Sequence, residues 1–332
     1  MREYELRSAM SQNFPVSEWE FLVGIARPMI VWNGERAERP TVPPSPGAPV
    51  YVPSPENLVR FLGFAEDGLH IGTLQFHGVP VRLDLSRLVQ KHFAILAMSG
   101  AGKSYTTSVI IEELLDRRPE QGRIAIAVFD VHGEYVGFGE PASGEDCTDY
   151  SDRTTVVSVE DMRIPVPSLT AHDFLYFLPN LTSTQVRELD RIIKELREAM
   201  DAGGGPYSLD DIISRVESDP RIKENTRVSL ASWLRSLEST RLFDAVERPA
   251  VEAVIRPGRL VVFDLSQTID AKKRQFVVTY FARRIFDLRR MGRVPPTLLV
   301  IEEAHNFVPS ERSREDVPAR SVIETIAREG RK

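Results

Sequence analysis

The chain has 332 residues, of which 42% are hydrophobic and 27% are charged, and its formal net charge is −6. This length exceeds that of one compact core, and the composition is that of a globular protein rather than a disordered or fibrous one. A negative net charge argues against a protein whose whole surface is devoted to nucleic acid, so any such contact has to be local.

Cysteine content and hydropathy restrict the compartment. Cys147 is the only cysteine, which excludes an intramolecular disulfide and a cysteine-based zinc cluster and fits a reducing compartment. The first ten residues, MREYELRSAM, lack the apolar core of a signal peptide, and no apolar run approaches the roughly 20 residues that a membrane helix needs. We therefore expect a soluble, cytoplasmic protein with no membrane partner.

Residues 1–88 are predicted to form a small β-rich module with a proline-rich segment. Residues 40–55, PTVPPSPGAPVYVPSP, carry seven prolines, whose fixed φ and missing N–H disfavour helix and central strand. This segment is interpreted as a linker or an irregular edge. After it, polar and apolar residues alternate in VPVRLDL (79–85), as in a half-buried strand.

An α/β pattern follows, in which buried strands alternate with amphipathic helices. Strands are predicted in FAILAMS (93–99), RIAIAVFD (123–130), TTVVSVE (154–160), RLVVFDLS (259–266) and TLLVIEEAH (297–305). From about 168 to 248 apolar residues recur at helical spacing instead, and Ser208 is a predicted helix N-cap. The sequence thus predicts a mainly parallel sheet whose core, 89–167 and 251–332, is split by a helical insertion at 168–250.

The stretch AMSGAGKSYTT (97–107) has the features of a phosphate-binding loop, or Walker A motif, at the start of a helix. Ala97 replaces the first glycine of the pattern, a position that a small residue still fills. Glycines let backbone N–H groups turn toward an anion, Lys103 reaches the outer phosphates, and Ser104 offers a hydroxyl to Mg²⁺. The predicted nucleotide-binding residues are Ser99, Gly100, Ala101, Gly102, Lys103, Ser104 and Tyr105.

Two adjacent acids, Glu302 and Glu303, end the predicted strand at 297–305, and ligands bind at the carboxyl ends of parallel strands. Glu302 is predicted to hold the Mg²⁺ shell. Glu303 is predicted to orient or deprotonate the attacking water, a task that hydrolysis requires. Without the loop, a helix cap and a surface acid would be the better explanation. With it, this Walker B-like pair indicates an ATPase.

Asp130 and the residues after it lie on the same predicted rim, because they follow the buried strand at 123–130. Asp130, a predicted catalytic residue, and Glu134 are candidates to act on the water or on Mg²⁺. The alternative is an ordinary turn, since Asp and Gly are common turn residues.

Four stretches together resemble the HerA branch of the HerA/FtsK ATPases: AMSGAGKS (97–104), FDVHGEY (129–135), IEEAHNF (301–307) and IAREGRK (326–332). Their order and spacing match, and the resemblance extends from about Leu69 to the last residue. The family pattern usually has aspartate where this chain has Glu302, a change that retains the carboxylate. The resemblance implies a RecA-like (ASCE) P-loop core, with a barrel-like module before it.

The resemblance also implies an activity and partners. It points to a homo-hexameric ring that uses ATP and Mg²⁺ to drive double-stranded DNA through its channel, as a translocase or helicase in recombinational repair with a NurA-type nuclease. Arg328 first and Arg331 second would be the arginine finger that reaches a neighbouring subunit's γ-phosphate. Basic residues that compensate a helix C-terminus are the alternative. Lys91 is more simply a surface lysine.

Other possibilities remain open at this stage. The chain could be a nucleotide-gated assembly subunit of a defence complex, or a secretion or conjugation motor. The basic residues of 272–293 lie on a helix that covers a sheet, so a solvated face explains them better than a DNA path. Because such cores place a further strand after the Walker B helix, we expect the core to be incomplete at its C-terminal end and this polypeptide alone to be a poor ATPase.

Overall fold

The computed structural model describes residues 25, 28, 30–34, 37–89, 92–144, 147–309 and 317–330. Its N-terminal part contains β1 (Val31–Trp32), β2 (Ala37–Glu38), α1 (Pro55–Leu62), β3 (Leu69–Thr73), β4 (Pro80–Leu83) and α2 (Leu85–Val89). The strands form two separate antiparallel pairs, β1 with β2 and β3 with β4. The proline-rich segment is irregular, as predicted, until Ser54 caps α1. A barrel-like module stays a prediction, because most residues before 31 lie outside the described ones.

The first part of the α/β region and the helical segment follow along the chain. Their elements are α3 (Lys103–Leu115), β5 (Ala125–Asp130), β6 (Thr154–Ser158), β7 (Ile164–Pro165), α4 (Phe174–Phe177), α5 (Ser183–Ala199), α6 (Leu209–Ser218), α7 (Glu224–Glu238) and β8 (Phe243–Asp244). β7 and β8 pair in parallel, so the helical segment leaves and returns at one place. The limits of 168 and 250, which come from the sequence pattern, stay a prediction.

The chain then returns to the sheet through α8 (Val251–Val254), β9 (Leu260–Asp264), α9 (Ala271–Arg290), β10 (Thr297–Ile301) and α10 (Pro318–Glu329). The predicted strands at 123–130, 154–160, 259–266 and 297–305 are therefore confirmed. The helix predicted to carry the basic residues of 272–293 is α9. None of the helices in the described parts of the chain has the length and apolarity to cross a bilayer.

A four-stranded parallel sheet forms the centre, in the order β10, β5, β9, β6. Its register pairs Ile301 with Phe129 and Asp130 with Asp264. The carboxyl ends of β5, β9 and β10 consequently meet at one edge. Parallel register thus brings together polar residues that are far apart in the sequence.

Side chains of the central strands alternate between two hydrophobic cores, as strand geometry requires. On one face, Phe129 stacks on Phe263 with ring centroids 4.9 Å apart, within a core that includes α9, α10 and the helical segment. On the other face, Ile126 and Val262 pack with α3 and Leu69 of β3. Both faces are covered, which explains why these strands are continuous apolar runs.

The predicted strand at 93–99 is the main departure from the sequence analysis. Residues 92–98 make no ladder in the structure, and the side chains of Leu96 and Met98 are 90% and 84% exposed. Apolar composition favours burial, but a strand also needs a neighbour whose backbone can hydrogen-bond to it. Among the described strands β10, at the edge of the sheet, pairs only with β5, and residues 92–98 do not pair with it. The segment still leads into the predicted loop.

The helical segment is stabilised by capped helices and a buried acid. Thr182 and Ser208 each cap a helix through a reciprocal capping box, so the prediction for Ser208 is confirmed. Asp219, whose side chain is 2% exposed, accepts from Arg191 at 2.8 Å and Arg221 at 2.7 Å. These hydrogen bonds hold the pKa of Asp219 well below its usual range.

Replacing Ser208 tests whether its side chain stabilises the start of α6. Ser208→Ala removes the hydroxyl that accepts from Asp211 N at 3.3 Å and donates to Asp211 Oδ2 at 2.7 Å. We expect the free energy of unfolding to fall by about 1 kcal/mol in urea denaturation. Ser214→Ala, on the exposed side of the same helix, is the matched control. Equal changes in both variants would contradict the assigned role of the cap.

Candidate functional site

Residues 98–104 form a tight loop that turns directly into α3. Ala101 N donates to Met98 O at 3.1 Å, and Gly102 caps the helix with φ +86° and ψ +24°. Gly100 also has a positive φ, +76°, while a Cβ at either glycine would meet nothing within 4 Å. Left-handed backbone rather than crowding therefore demands glycine here. Such a loop at the N-terminus of a 13-residue helix is suited to bind an anion.

Lys103 and Glu303 face each other across the carboxyl edge of the sheet. Lys103 Nζ donates to Glu303 Oε1, with side chains that are 34% and 20% exposed. Each partner favours the charged form of the other, so the pKa of Lys103 is raised and that of Glu303 is lowered. Glu303 is thus an ionised carboxylate, held on the cation that would otherwise meet a phosphate.

Glu303 occupies a strained backbone conformation. Its φ of +47° and ψ of +46° are left-handed, which costs a residue with a Cβ on the order of 1–3 kcal/mol. This conformation lies between β10 and the turn at 304–306, and it is compatible with the contact between Glu303 and Lys103. His305 Nδ1 lies 3.2 Å from Glu303 Oε2. The sequence analysis did not select His305, although its place two residues after Glu303 was a usable signal.

Asp130, at the end of β5, is fully buried and is bound by backbone amides. It accepts from Gly133 N at 2.7 Å, Glu134 N at 3.1 Å and Tyr135 N at 2.8 Å. Both carboxylate oxygens are used in this way. Asp130 therefore positions the turn at 131–135 and acts on the site through Glu134, whereas the catalytic task predicted for it stays untested.

Glu302 bridges β10 to the same turn. Its Oε2 accepts from Val131 N at 2.9 Å and His132 N at 3.1 Å, and the residue is only 6% exposed. Burial first, then the neighbouring Glu134 and Asp130, raise the pKa of Glu302 to about 8. Its Oε1 has no well-formed hydrogen bond among the described residues, although Glu134 lies close enough to accept its proton.

Glu134 completes the cluster from the exposed side. Ser104 Oγ donates to Glu134 Oε2, which links the start of α3 to the turn after β5. Hydrogen bonds from Glu302 and Ser104 hold the pKa of Glu134 below its usual value. The structure therefore brings together Lys103, Ser104, Asp130, Glu134, Glu302 and Glu303.

These oxygens fit a Mg²⁺ ion that arrives with phosphates. Mg²⁺ prefers oxygen ligands, keeps several waters and needs only one or two protein carboxylates. Ser104 Oγ, Glu134 and the unpartnered Oε1 of Glu302 offer that set. Within the described residues, no group of three or more His, Cys, Asp or Glu side chains forms a metal cage.

Arg328 lies away from this cluster. Gln275 donates to Asn306 O at 2.6 Å and accepts from Ala319 N at 3.4 Å, which places the start of α10 near the turn after Glu303. The twelve residues of α10 span about 18 Å, and Arg328 is near its other end. Its side chain is 74% exposed. Arg331, the second predicted finger, and Lys91 lie outside the described residues.

The basic residues of α9 and the following turn are largely committed to partners within the chain. Arg283 pairs with Asp173 at 2.7 Å, Arg284 with Glu247 at 3.2 Å, Lys273 with Glu160 at 2.7 Å and Arg293 with Glu252 at 2.9 Å. Lys272 and Arg290 lie over aromatic rings of the same helix. These contacts support the interpretation of the helix as structural rather than as a DNA path.

The doubly covered parallel sheet, the glycine loop and the acids at its carboxyl edge define the class of protein, a RecA-like P-loop ATPase core. A sequence model of the family described as "Helicase HerA, central domain" matches residues 69–285. The chain belongs to this family, as its four motifs predicted.

Two curated relatives match most of this chain over part of their own length. The DNA double-strand break repair helicase HerA of Pyrococcus furiosus is 27% identical over 346 residues, which cover 88% of this chain and 59% of that protein. Its namesake from Saccharolobus solfataricus is 27% identical over 318 residues, with 88% and 58% covered. The chain thus spans about three fifths of the length of these relatives.

A solved structure shares the fold at greater distance. VirB4 of Thermoanaerobacter pseudethanolicus superposes with a TM-score of 0.53 over 80% of this chain and 74% of that one. The sequences are 17% identical, so the similarity concerns the fold alone.

The buried acid predicts an unusual pH dependence of stability. The pKa of Glu302 is about 8 in the folded chain and 4.5 when unperturbed, so between these values the folded state holds a proton that the unfolded state has lost. Stability should therefore fall as pH rises through this window, with a slope of at most about 1.4 kcal/mol per pH unit. Glu302→Gln, which is permanently neutral, should remove that slope in urea denaturation from pH 5 to 8.5 without nucleotide or Mg²⁺.

The surface substitution Glu140→Gln is the control, because Glu140 lies outside the cluster. It should retain the slope of the unmodified protein. Parallel stability profiles for the unmodified protein and Glu302→Gln would show that Glu302 is not the proton-binding group.

Proposed function

We propose that the chain is the motor core of an ATP-driven translocase or helicase for double-stranded DNA, which acts in DNA-end processing in the cytoplasm. Membership of the HerA family and the repair helicases among its relatives support this proposal. The proposal includes a homo-hexameric ring and a NurA-type nuclease as partner.

The observation that carries the ATPase proposal is the pair of Lys103 and Glu303 beside the glycine loop. A phosphate chain needs the loop N–H groups and an ammonium group, and hydrolysis needs a carboxylate close to the attacking water. Both side chains are already within contact of each other at one edge. Binding of the γ-phosphate would separate them, and Glu303 would then be free to orient water.

The remaining residues of the edge have supporting roles in this proposal. Ser104, Glu302 and Glu134 would hold Mg²⁺, which supplies charge neutralisation between the phosphates when it is bound. Asp130 keeps the turn at 131–135 in place through its three backbone amides. Gly100, Ala101 and Gly102 present the loop backbone, and the flanking Ser99 and exposed Tyr105 complete the proposed nucleotide contacts.

The position of Arg328 supports a ring. An arginine finger acts on the γ-phosphate, yet Arg328 is near the far end of α10 from this chain's own loop. Gly330, two residues later, lies near His92, since a Cβ at Gly330 would lie 3.6 Å from His92 Cε1. His92 is at the start of the segment 92–98, and the loop follows the end of that segment. A finger role would therefore be played on a neighbouring subunit, as in closed rings with head-to-tail interfaces.

The motor proposal predicts specific hydrolysis defects. Lys103→Ala should abolish nucleotide binding, whereas Glu303→Gln should slow hydrolysis by about 100-fold or more but retain the nucleotide, because Lys103 loses its competing carboxylate. The measurement is steady-state ATP hydrolysis with linear duplexes of increasing length, together with equilibrium binding of ATP.

Stimulation that grows with duplex length supports a translocase. Hydrolysis that ignores DNA would favour the secretion or conjugation motor. A Glu303→Gln protein that keeps ATP and every partner activity would favour the nucleotide-gated assembly subunit instead.

Mixing two inactive variants tests whether Arg328 acts between subunits. In rings formed from equal amounts of Lys103→Ala and Arg328→Ala chains, about a quarter of the head-to-tail interfaces combine an intact loop with an intact arginine. ATP hydrolysis should therefore reappear on mixing, and rings that contain Arg328→Lys in place of Arg328→Ala serve as a charge-retaining control. If the mixture hydrolyses ATP no faster than either variant alone, Arg328 does not act as a finger between subunits.

A further inference from the structure

The hydroxyl of Ser104 is oriented by a carboxylate that lies 30 residues further along the chain. It donates its proton to Glu134 Oε2, and Ser104 directly follows Lys103 in the first turn of α3. A hydroxyl that donates in this way keeps its oxygen lone pairs for a cation on the other side. The contact with Glu134 thus prepares Ser104 as a metal ligand.

From this geometry we propose that Glu134 is the principal carboxylate on the metal side of the site: it holds the Ser104 hydroxyl and accepts from the water shell of the nucleotide-bound Mg²⁺. Glu302, which is buried next to Glu134, would then position the Glu134 side chain. The inference rests on the proposed ATP binding and deepens it, because the sequence pattern assigns the metal shell to Glu302 and leaves Glu134 as one candidate for the water or Mg²⁺.

Glu302 is poorly placed to take that role alone, because the backbone restrains it. Its Oε2 accepts from Val131 N at 2.9 Å and His132 N at 3.1 Å, and its own N donates to Phe129 O at 3.2 Å. A side chain that is 6% exposed and held in this way has little room to move toward an incoming ion. Only Oε1 is left without a well-formed bond, and it adjoins the Glu134 carboxylate.

The backbone around Glu134 is held in place by hydrogen bonds to Asp130. Asp130 accepts from its N–H at 3.1 Å and from the N–H groups on either side. Gly133 has a φ of +78°, and a Cβ there would lie 3.2 Å from Ser266 Oγ, so the turn is packed against the segment after β9. Glu134 consequently presents an exposed side chain from a rigid base, which suits a ligand that must receive a hydrated ion.

A different explanation is that Glu134 only occupies Ser104 until a nucleotide displaces it. The two explanations predict different changes in Mg²⁺ affinity when Glu134 is replaced. If Glu134 serves the metal, its loss weakens Mg²⁺ binding in the nucleotide complex. If it only competes for Ser104, its loss leaves Mg²⁺ binding unchanged or strengthens it.

Titration of Mg²⁺ decides between them. The non-hydrolysable fluorescent analogue mant-AMPPNP is bound to the full chain in EDTA, and the fluorescence change is followed as Mg²⁺ is added. We expect Glu134→Gln to raise the Mg²⁺ midpoint about tenfold or more, within the range known for groups that orient metal ligands, with little change in Mg²⁺-free binding. An unchanged or lowered midpoint overturns the inference.

Matched variants show whether the effect belongs to this contact. Glu134→Asp keeps the charge but shortens the side chain, so it should also raise the midpoint, whereas the surface change Glu140→Gln should not. Ser104→Ala combined with Glu134→Gln should raise the midpoint by less than the product of the two single effects, because part of the effect of Glu134 acts through Ser104. Additive effects, or an effect of Glu140→Gln equal to that of Glu134→Gln, contradict the inference.

Failure of the inference and failure of the proposed function give different results. If the unmodified chain binds mant-AMPPNP with Mg²⁺ and Glu134→Gln behaves identically, only the role of Glu134 is wrong. If the unmodified chain shows no Mg²⁺-dependent binding, the ATPase proposal falls and the role of Glu134 falls with it.

Discussion

The contact between Lys103 and Glu303 joins two segments that are 200 residues apart in the sequence, and the rest of the site is arranged around it. It exists because α3 begins, and β10 ends, at the same edge of a parallel sheet. Opposite charges therefore face each other on one rim, next to the glycine loop that begins α3. The same contact helps to hold Glu303 in its left-handed backbone conformation.

Burial divides the acids of this edge into two kinds. Asp130 and Glu302 are almost fully buried. Three backbone amides donate to Asp130, and two donate to Glu302. They connect β5 and β10 and fix the turn between them. Glu134 and Glu303 lie in front, with side chains that contact Ser104 and Lys103. Buried acids thus fix the geometry of the edge, while the outer acids contact the side chains at the start of α3.

The structure also separates charges that stabilise the fold from charges left for partners. Most basic residues of α9 are paired with acids or aromatic rings of the same chain, which leaves little of this helix free for a polyanion. Arg328 is different, since its side chain is largely exposed and its contacts are with Glu324 on its own helix. Gln275 hydrogen-bonds both to the beginning of α10 and to the turn after Glu303, so it links that helix to the turn.

Local patterns in the sequence determined much of this protein. They predicted four sheet strands, the long helix α9, the Ser208 cap, the loop with Lys103 and Ser104, and the acids after β5 and β10, because periodicity, capping and glycine placement act over a few residues. Only the tertiary structure decided which acid meets Ser104, why Asp130 faces backbone amides, and that residues 92–98 lack a ladder. Those outcomes depend on sheet register and burial, which bring distant segments together and which no local pattern encodes.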